Sequence, residues 1–200
     1  MKRLTGTRTL AIRQKKEWGE ILSGFETRNR YVVLDENGRE IYAAGEAGGN
    51  LLLRLFLKAW RPFTLRVVGL DSAPVMTVRR PFRFYFHEAT ITDASGAVMG
   101  RLKKEFSILR RTYTVMDSNG VPTFTLFGPI LHPWTFEIRR NGVTMGKITK
   151  KWSGLGKEIF TDADNFGIEF PADTDAQTRA VLLGAVFLID FVHFENRGNR

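Results

Sequence analysis

The chain has 200 residues, 43% of them hydrophobic, with 30 Lys and Arg against 21 Asp and Glu and no cysteine. That length suits one domain with a sizeable core. The missing thiols exclude disulfides, thiolate metal sites, cysteine nucleophiles and palmitoyl anchors, while the net charge of +9 favours anionic partners.

Met1–Arg30 carries basic residues but no continuous apolar segment, so no secretory signal is visible and a reducing, cytoplasmic location is expected. Within it, Leu10–Leu22 spaces Ile12, Trp18, Ile21 and Leu22 as the apolar face of a short, basic amphipathic helix. Residues 1–30 are therefore expected to form an N-terminal segment ahead of a barrel domain over 31–195, with 196–200 as a polar tail.

From Tyr31 the pattern becomes strand, turn, strand. Tyr31–Leu34, Asp35-Glu36-Asn37-Gly38 and Arg39–Ala44 read as a hairpin, with Asn-Gly supplying the positive-φ residues of a tight turn. The same grammar recurs in Arg83–Thr92 with Ala97–Lys103, in Ser107–Met116 with Val121–Phe127, and in Trp134–Arg139 with Val143–Thr149. Leu51–Leu57 is apolar and reads equally as strand or short helix. Alternation in Phe82-Arg83-Phe84-Tyr85-Phe86 and Phe124-Thr125-Leu126-Phe127 turns one face inward. Pro62, Pro74, Pro81, Pro122, Pro129 and Pro133 lie at or near the ends of runs, where a missing N–H does least damage. Short strands at this spacing suggest a sandwich or a closed barrel.

The chain closes on Ala180–Ile189, followed by Asp190 and then Phe191, Val192, His193 and Phe194. A helix apolar on every side lies inside protein or inside lipid. The ten-residue run falls short of the roughly 20 apolar residues that span a bilayer, and Asp190 interrupts its continuation. A core helix over 175–194 is expected, with Leu182, Leu183, Val186, Phe187 and Ile189 among its buried positions. A sheet closed around that helix removes every unpaired edge and buries every helix face. The fold class is then mainly β: a closed antiparallel barrel wrapped around a buried hydrophobic C-terminal α-helix.

Charge is uneven along the chain. Arg101–Lys151 holds ten basic residues against Glu105, Asp117 and Glu137, whereas Lys157–Glu195 holds two against eight acidic ones. The basic stretch favours phospholipid headgroups or nucleic acid. No zinc spacing, helix-turn-helix pattern or RNA-binding motif accompanies it, so a nucleic-acid partner has no clear support.

Four segments resemble the phospholipid scramblase family, whose members are similar to tubby in fold: Arg61-Pro62-Phe63-Thr64-Leu65-Arg66, Gly146–Trp152, Phe160–Ile168 and Leu183–Phe191. The resemblance runs from about Tyr31 to Glu195. It implies a barrel of about twelve strands around the C-terminal helix, calcium-stimulated movement of phospholipids between leaflets, and a terminal helix often drawn as a membrane anchor. Animal members carry a proline-rich N-terminal extension and a cysteine cluster for acylation. Here the cluster's place is taken by Phe82-Arg83-Phe84-Tyr85-Phe86-His87.

The family's proposed calcium segment maps onto Asp162 to Asp173, with Asp162, Asp164 and Asp173 at positions 1, 3 and 12 and Gly167 at position 6. Phe166 and Phe170 offer no oxygen at positions 5 and 9, so any calcium binding there is expected to be weak. The same residues alternate as a half-buried strand would. Headgroup candidates for an anionic phospholipid membrane surface are the adjacent cations Lys103, Lys104, Arg110, Arg111, Lys150 and Lys151; neighbours on a strand face opposite ways, so many of these pairs sit at strand ends, either converging on one anionic pocket or scattered over the surface. His87, His132 and His193 stand in no triad pattern and no phosphate loop follows a strand, so an enzyme is not expected. These readings lead to a scramblase-like protein bound peripherally to membranes. The alternative is a cytosolic tubby-like ligand-binding or regulatory module without scramblase activity.

Overall fold

Apolar and polar side chains alternate through most of the chain, and in the computed structural model these runs pair into twelve antiparallel strands. The structure describes residues 2–14, 30–47, 62–82, 88–106, 111–150 and 165–194. In chain order the strands are β1 (Thr9–Gln14), β2 (Arg30–Leu34), β3 (Glu40–Glu46), β4 (Phe63–Gly69), β5 (Pro74–Arg80) and β6 (Glu88–Asp93). They continue as β7 (Val98–Lys104), β8 (Arg111–Asp117), β9 (Pro122–Gly128), β10 (Thr135–Arg140), β11 (Val143–Lys150) and β12 (Asn165–Glu169). Each strand pairs with its sequence neighbours, and β1 also pairs with β12, closing the barrel.

That closure corrects the expected N-terminal boundary. Residues 10–14 are not helical: Leu10 and Ile12 point into the core from β1, so the barrel begins before residue 31. Pairing on both sides gives this short segment two ladders of backbone hydrogen bonds, which outweigh the helical spacing of its apolar residues. Trp18, Ile21 and Leu22 lie outside the described residues, as do Leu51–Leu57 and residues 83–86 of the Phe82–Phe86 run. Phe82 itself follows the end of β5.

Turn chemistry also differs from the expectation. At Asp35–Gly38 and Asp117–Gly120 only the glycine has positive φ, 74° and 82°. Each of these hairpins carries a register shift just before its turn, at Val33/Leu34 and Val115/Met116. The aspartate side chains accept from the second and fourth backbone amides on, as Asp35 does from Asn37 and Arg39, both at 2.9 Å. These are four-residue turns with a glycine bulge, in which Asp rather than Asn does the local bonding. Among the described residues only Asn141-Gly142 has two consecutive residues at positive φ.

The core is the barrel's interior. Inward residues such as Leu65, Val78, Ile91, Leu102, Val115, Leu126, Ile138 and Ile168 form one cluster with the helix α1 (Ala176–Ile189). Every residue of α1 from Arg179 to Ile189 is buried, including Leu182, Leu183, Val186, Phe187 and Ile189. Asp175 caps its start, accepting from the Thr178 amide at 2.7 Å. Beyond Ile189 the helix widens into a π-turn, Asp190–Phe194, making Ala176–Phe194 a helical stretch of 19 residues. By length and composition that stretch could cross a membrane, but 78% of its apolar window is buried inside the protein.

Candidate functional site

The barrel's two ends differ because their connections differ. At one end tight hairpins join β2 to β3, β4 to β5, β6 to β7, β8 to β9 and β10 to β11; this is the hairpin rim. Four of its turns are built on Asp35, Asp71, Asp93 and Asp117, whose carboxylates accept backbone amides. The Ser95 hydroxyl, followed by nearby amides, holds the Asp93 carboxyl below its usual range. The opposite end, the loop rim, carries the longer connections and the strand termini Arg30, Arg80, Lys104, Arg111 and Lys150.

Helix α1 runs from the hairpin rim to the loop rim, where its π-turn is fixed by polar and aromatic contacts. The Tyr31 hydroxyl donates to Asp190 Oδ2 at 2.6 Å, and Lys150 Nζ lies 3.8 Å from Asp190 Oδ1. The same ammonium sits 4.7 Å from the Phe194 ring centre and 5.3 Å from that of Phe166. Tyr113 Oη and His193 Nε2 are 2.8 Å apart, and burial pushes the Tyr113 hydroxyl well above its usual pKa, so it stays neutral. Phe191 stacks on Phe63 at 4.2 Å and Phe194 on Trp134 at 5.3 Å. A charge inside an otherwise apolar end is tolerated only when it is paired and hydrogen-bonded. Asp190 has both.

Arg111 organises the neighbouring connection. Its guanidinium donates to the Pro133 carbonyl at 2.7 Å and the Pro129 carbonyl at 3.3 Å, and lies 4.7 Å from the Phe136 ring centre. Residues 129–134 are further closed by the His132 and Thr135 amides bonding back to Pro129 and His132. Ile130 and Leu131 project from this braced loop at 64% and 88% exposure, and Phe106, just past β7, is 82% exposed.

The predicted site residues separate accordingly. Lys103 and Lys104 end β7 at the loop rim; burial, then the charge of Arg80, pulls the Lys104 ammonium below its usual pKa. Arg111 is at the same rim but spends its donors on loop carbonyls. Lys150 is 8% exposed and serves Asp190, which removes it as a surface headgroup ligand. Arg110 and Lys151 lie outside the described residues.

Asp162 and Asp164 also lie outside them, so only the second half of the calcium segment is described. There Phe166, Gly167 and Ile168 lie in β12, extended between the rims and paired on both sides, so Gly167 makes no turn. Asp173 emerges at the hairpin rim and is ion-paired with Arg140. Among the described residues no group of three acidic or histidine side chains could hold a metal. The sequence reading missed Phe106, Ile130 and Leu131; the signal was available in Pro129-Ile130-Leu131-His132-Pro133, where apolar residues sit between prolines rather than in an alternating run.

A protein-family model described as Scramblase matches residues 1–196. Phospholipid scramblase 1 of Mus musculus is 36% identical over 204 residues, covering 95% of this chain and 62% of that protein. Phospholipid scramblase 2 of Bos taurus is 35% identical, covering 96% and 70%, and phospholipid scramblase family member 5 of Homo sapiens is 32% identical, covering 94% and 74%. The chain spans 62% to 64% of the length of the scramblase 1 proteins it matches. No solved structure matches it.

Proposed function

Because the chain belongs to the scramblase family, we propose that it is a phospholipid scramblase-like protein that associates peripherally with phospholipid membranes from the cytoplasmic side and moves lipids between leaflets. The observation that supports this reading is the family match over residues 1–196 on a barrel whose interior is occupied by its own helix. With α1 filling the barrel, a phospholipid has no passage through it, and lipid is handled on the outer surface or at a rim. Such transport breaks no covalent bond.

The test is translocation of fluorescent phospholipids in vesicles reconstituted with the purified chain, with and without calcium. Faster exchange between leaflets than in protein-free vesicles is expected. Vesicles that bind no protein and show no exchange would favour the tubby-like regulatory module instead.

A further inference from the structure

Ile130 and Leu131 at the loop rim are exposed to water on a hydrogen-bonded loop, an arrangement that contributes nothing to the core. Arg111 braces the 129–134 loop through two carbonyls, while Ile130 and Leu131 at its tip touch no core cluster. Phe106 extends from the β7–β8 connection, two strand spacings away on the same rim, or about 10 Å at the usual interstrand distance. Exposed apolar groups gathered at one place mark a surface that meets something apolar.

Charge identifies the partner. Lys103 and Lys104 end β7, with Glu105 between them and the Phe106 tip, and Arg111 opens the next strand. Of the described carboxylates at this rim, Glu46 and Asp190 are buried, Glu105 accepts from the Thr114 hydroxyl at 2.7 Å, and Glu88 opens β6 opposite Lys103 in the ladder. The hairpin rim also exposes apolar side chains, Val121 and Val143 among them, but there Asp35, Asp71, Asp93, Asp117 and Asp173 outnumber Arg8, Arg39 and Arg140. An anionic surface repels that end. Apolar tips backed by cations suit the interface of an anionic bilayer, where the side chains enter the headgroup and acyl boundary and the cations meet phosphate.

We propose that the loop rim is the membrane-docking face, with Phe106, Ile130 and Leu131 entering the interface of an anionic phospholipid bilayer and Lys103 and Lys104 lying at headgroup level. The barrel then stands with its hairpin rim away from the lipid and α1 still enclosed. The inference rests on the membrane reading above and adds the orientation and the contacting residues.

The test is flotation with phosphatidylserine/phosphatidylcholine vesicles and with phosphatidylcholine vesicles, in EDTA and in millimolar calcium, at two ionic strengths. Phe106→Ser/Ile130→Ser/Leu131→Ser is expected to weaken binding to the anionic vesicles by about tenfold or more, since each buried apolar side chain is worth a factor of that order. Val121→Ser/Val143→Ser is expected to stay within about twofold of the parent, as surface substitutions do. Because the chain has no cysteine, Leu131→Cys and Val143→Cys each accept one environment-sensitive dye; only the dye at 131 is expected to shift to the blue on anionic vesicles. If the unmodified chain binds no vesicle, the membrane reading and the docking face fall together. If it binds but the loop-rim triple variant binds equally well, or the dye at 143 shifts instead, only the docking face is overturned. A vesicle-free dimer that the same triple substitution abolishes would assign the rim to a second copy and also overturn it.

Discussion

Asp190 interrupts an apolar helix, and its surroundings explain why the interruption is tolerated. One carboxylate oxygen accepts from Tyr31 and the other faces Lys150, with both ion-pair side chains less than one tenth exposed. Breaking a buried pair on one side leaves an uncompensated charge, whereas replacing both partners by apolar groups is close to neutral. Asp190→Leu is therefore expected to cost about 3–5 kcal/mol in urea unfolding, and Lys150→Met/Asp190→Leu to recover most of that loss. Recovery in the double variant distinguishes a stranded Lys150 charge from simple overpacking by leucine. The same contacts give the π-turn a specific position that apolar packing alone does not supply, because Tyr31 and Lys150 come from β2 and β11 on either side of the β1–β12 pair.

Helix α1 depends as much on its first turn as on its buried face. The Asp175 carboxyl accepts from the Thr178 amide, and bonds to Thr178 hold its pKa below the usual carboxylate range. A depressed pKa in the folded chain means that this contribution is fully present above the unfolded value, near 3.9, and is lost as pH falls through the folded one. Asp175→Ala is expected to cost about 1 kcal/mol at neutral pH and progressively less in acid, read by urea unfolding at several pH values. Asp175→Asn, which keeps the capping oxygen and loses the charge, is expected to cost less and to flatten that pH dependence. The strands are less sensitive at their polar positions than at close backbone approaches. A Cβ on Gly100 would lie 2.5 Å from the Met116 carbonyl oxygen and 2.7 Å from Val181 Cγ2, between β8 and the core helix.

For the molecule as a whole, the location of α1 is decided by what its departure would leave behind. Moving Leu183 or Phe187 into lipid exchanges one apolar environment for another, with no hydrophobic gain. Leu65, Val78, Ile91, Leu102 and Leu126 would meanwhile line a barrel open to water, each exposed at about 1.5–3 kcal/mol. We therefore expect the amides of 180–189 to be among the slowest to exchange in detergent-free buffer, measured by hydrogen exchange. Rapid exchange there, with slow exchange regained only in detergent, would show that the helix leaves the barrel.

Much of this architecture is legible in the sequence because its signals are local. Alternation in Phe124-Thr125-Leu126-Phe127, the Asp-x-x-Gly turns and the all-apolar Ala180–Ile189 run each carry their meaning within a few residues, and together they determined strands, hairpins and a helix that needs enclosing. Residues 10–14 were misread because a five-residue apolar spacing fits helix and strand alike until β12 and β2 supply its hydrogen bonds. The site depended still more on long-range placement. Lys150 reads as a surface cation beside Lys151, yet a contact with Asp190, forty positions away, buries it; Asp173 reads as a metal ligand, and β12 carries it to the rim opposite the one where that strand begins, beside Arg140. The sequence by itself determined which residues must be hidden from water. Only the tertiary structure decided which charges share a rim and which are consumed inside it, because the pairing that closes the barrel joins residues no local pattern relates.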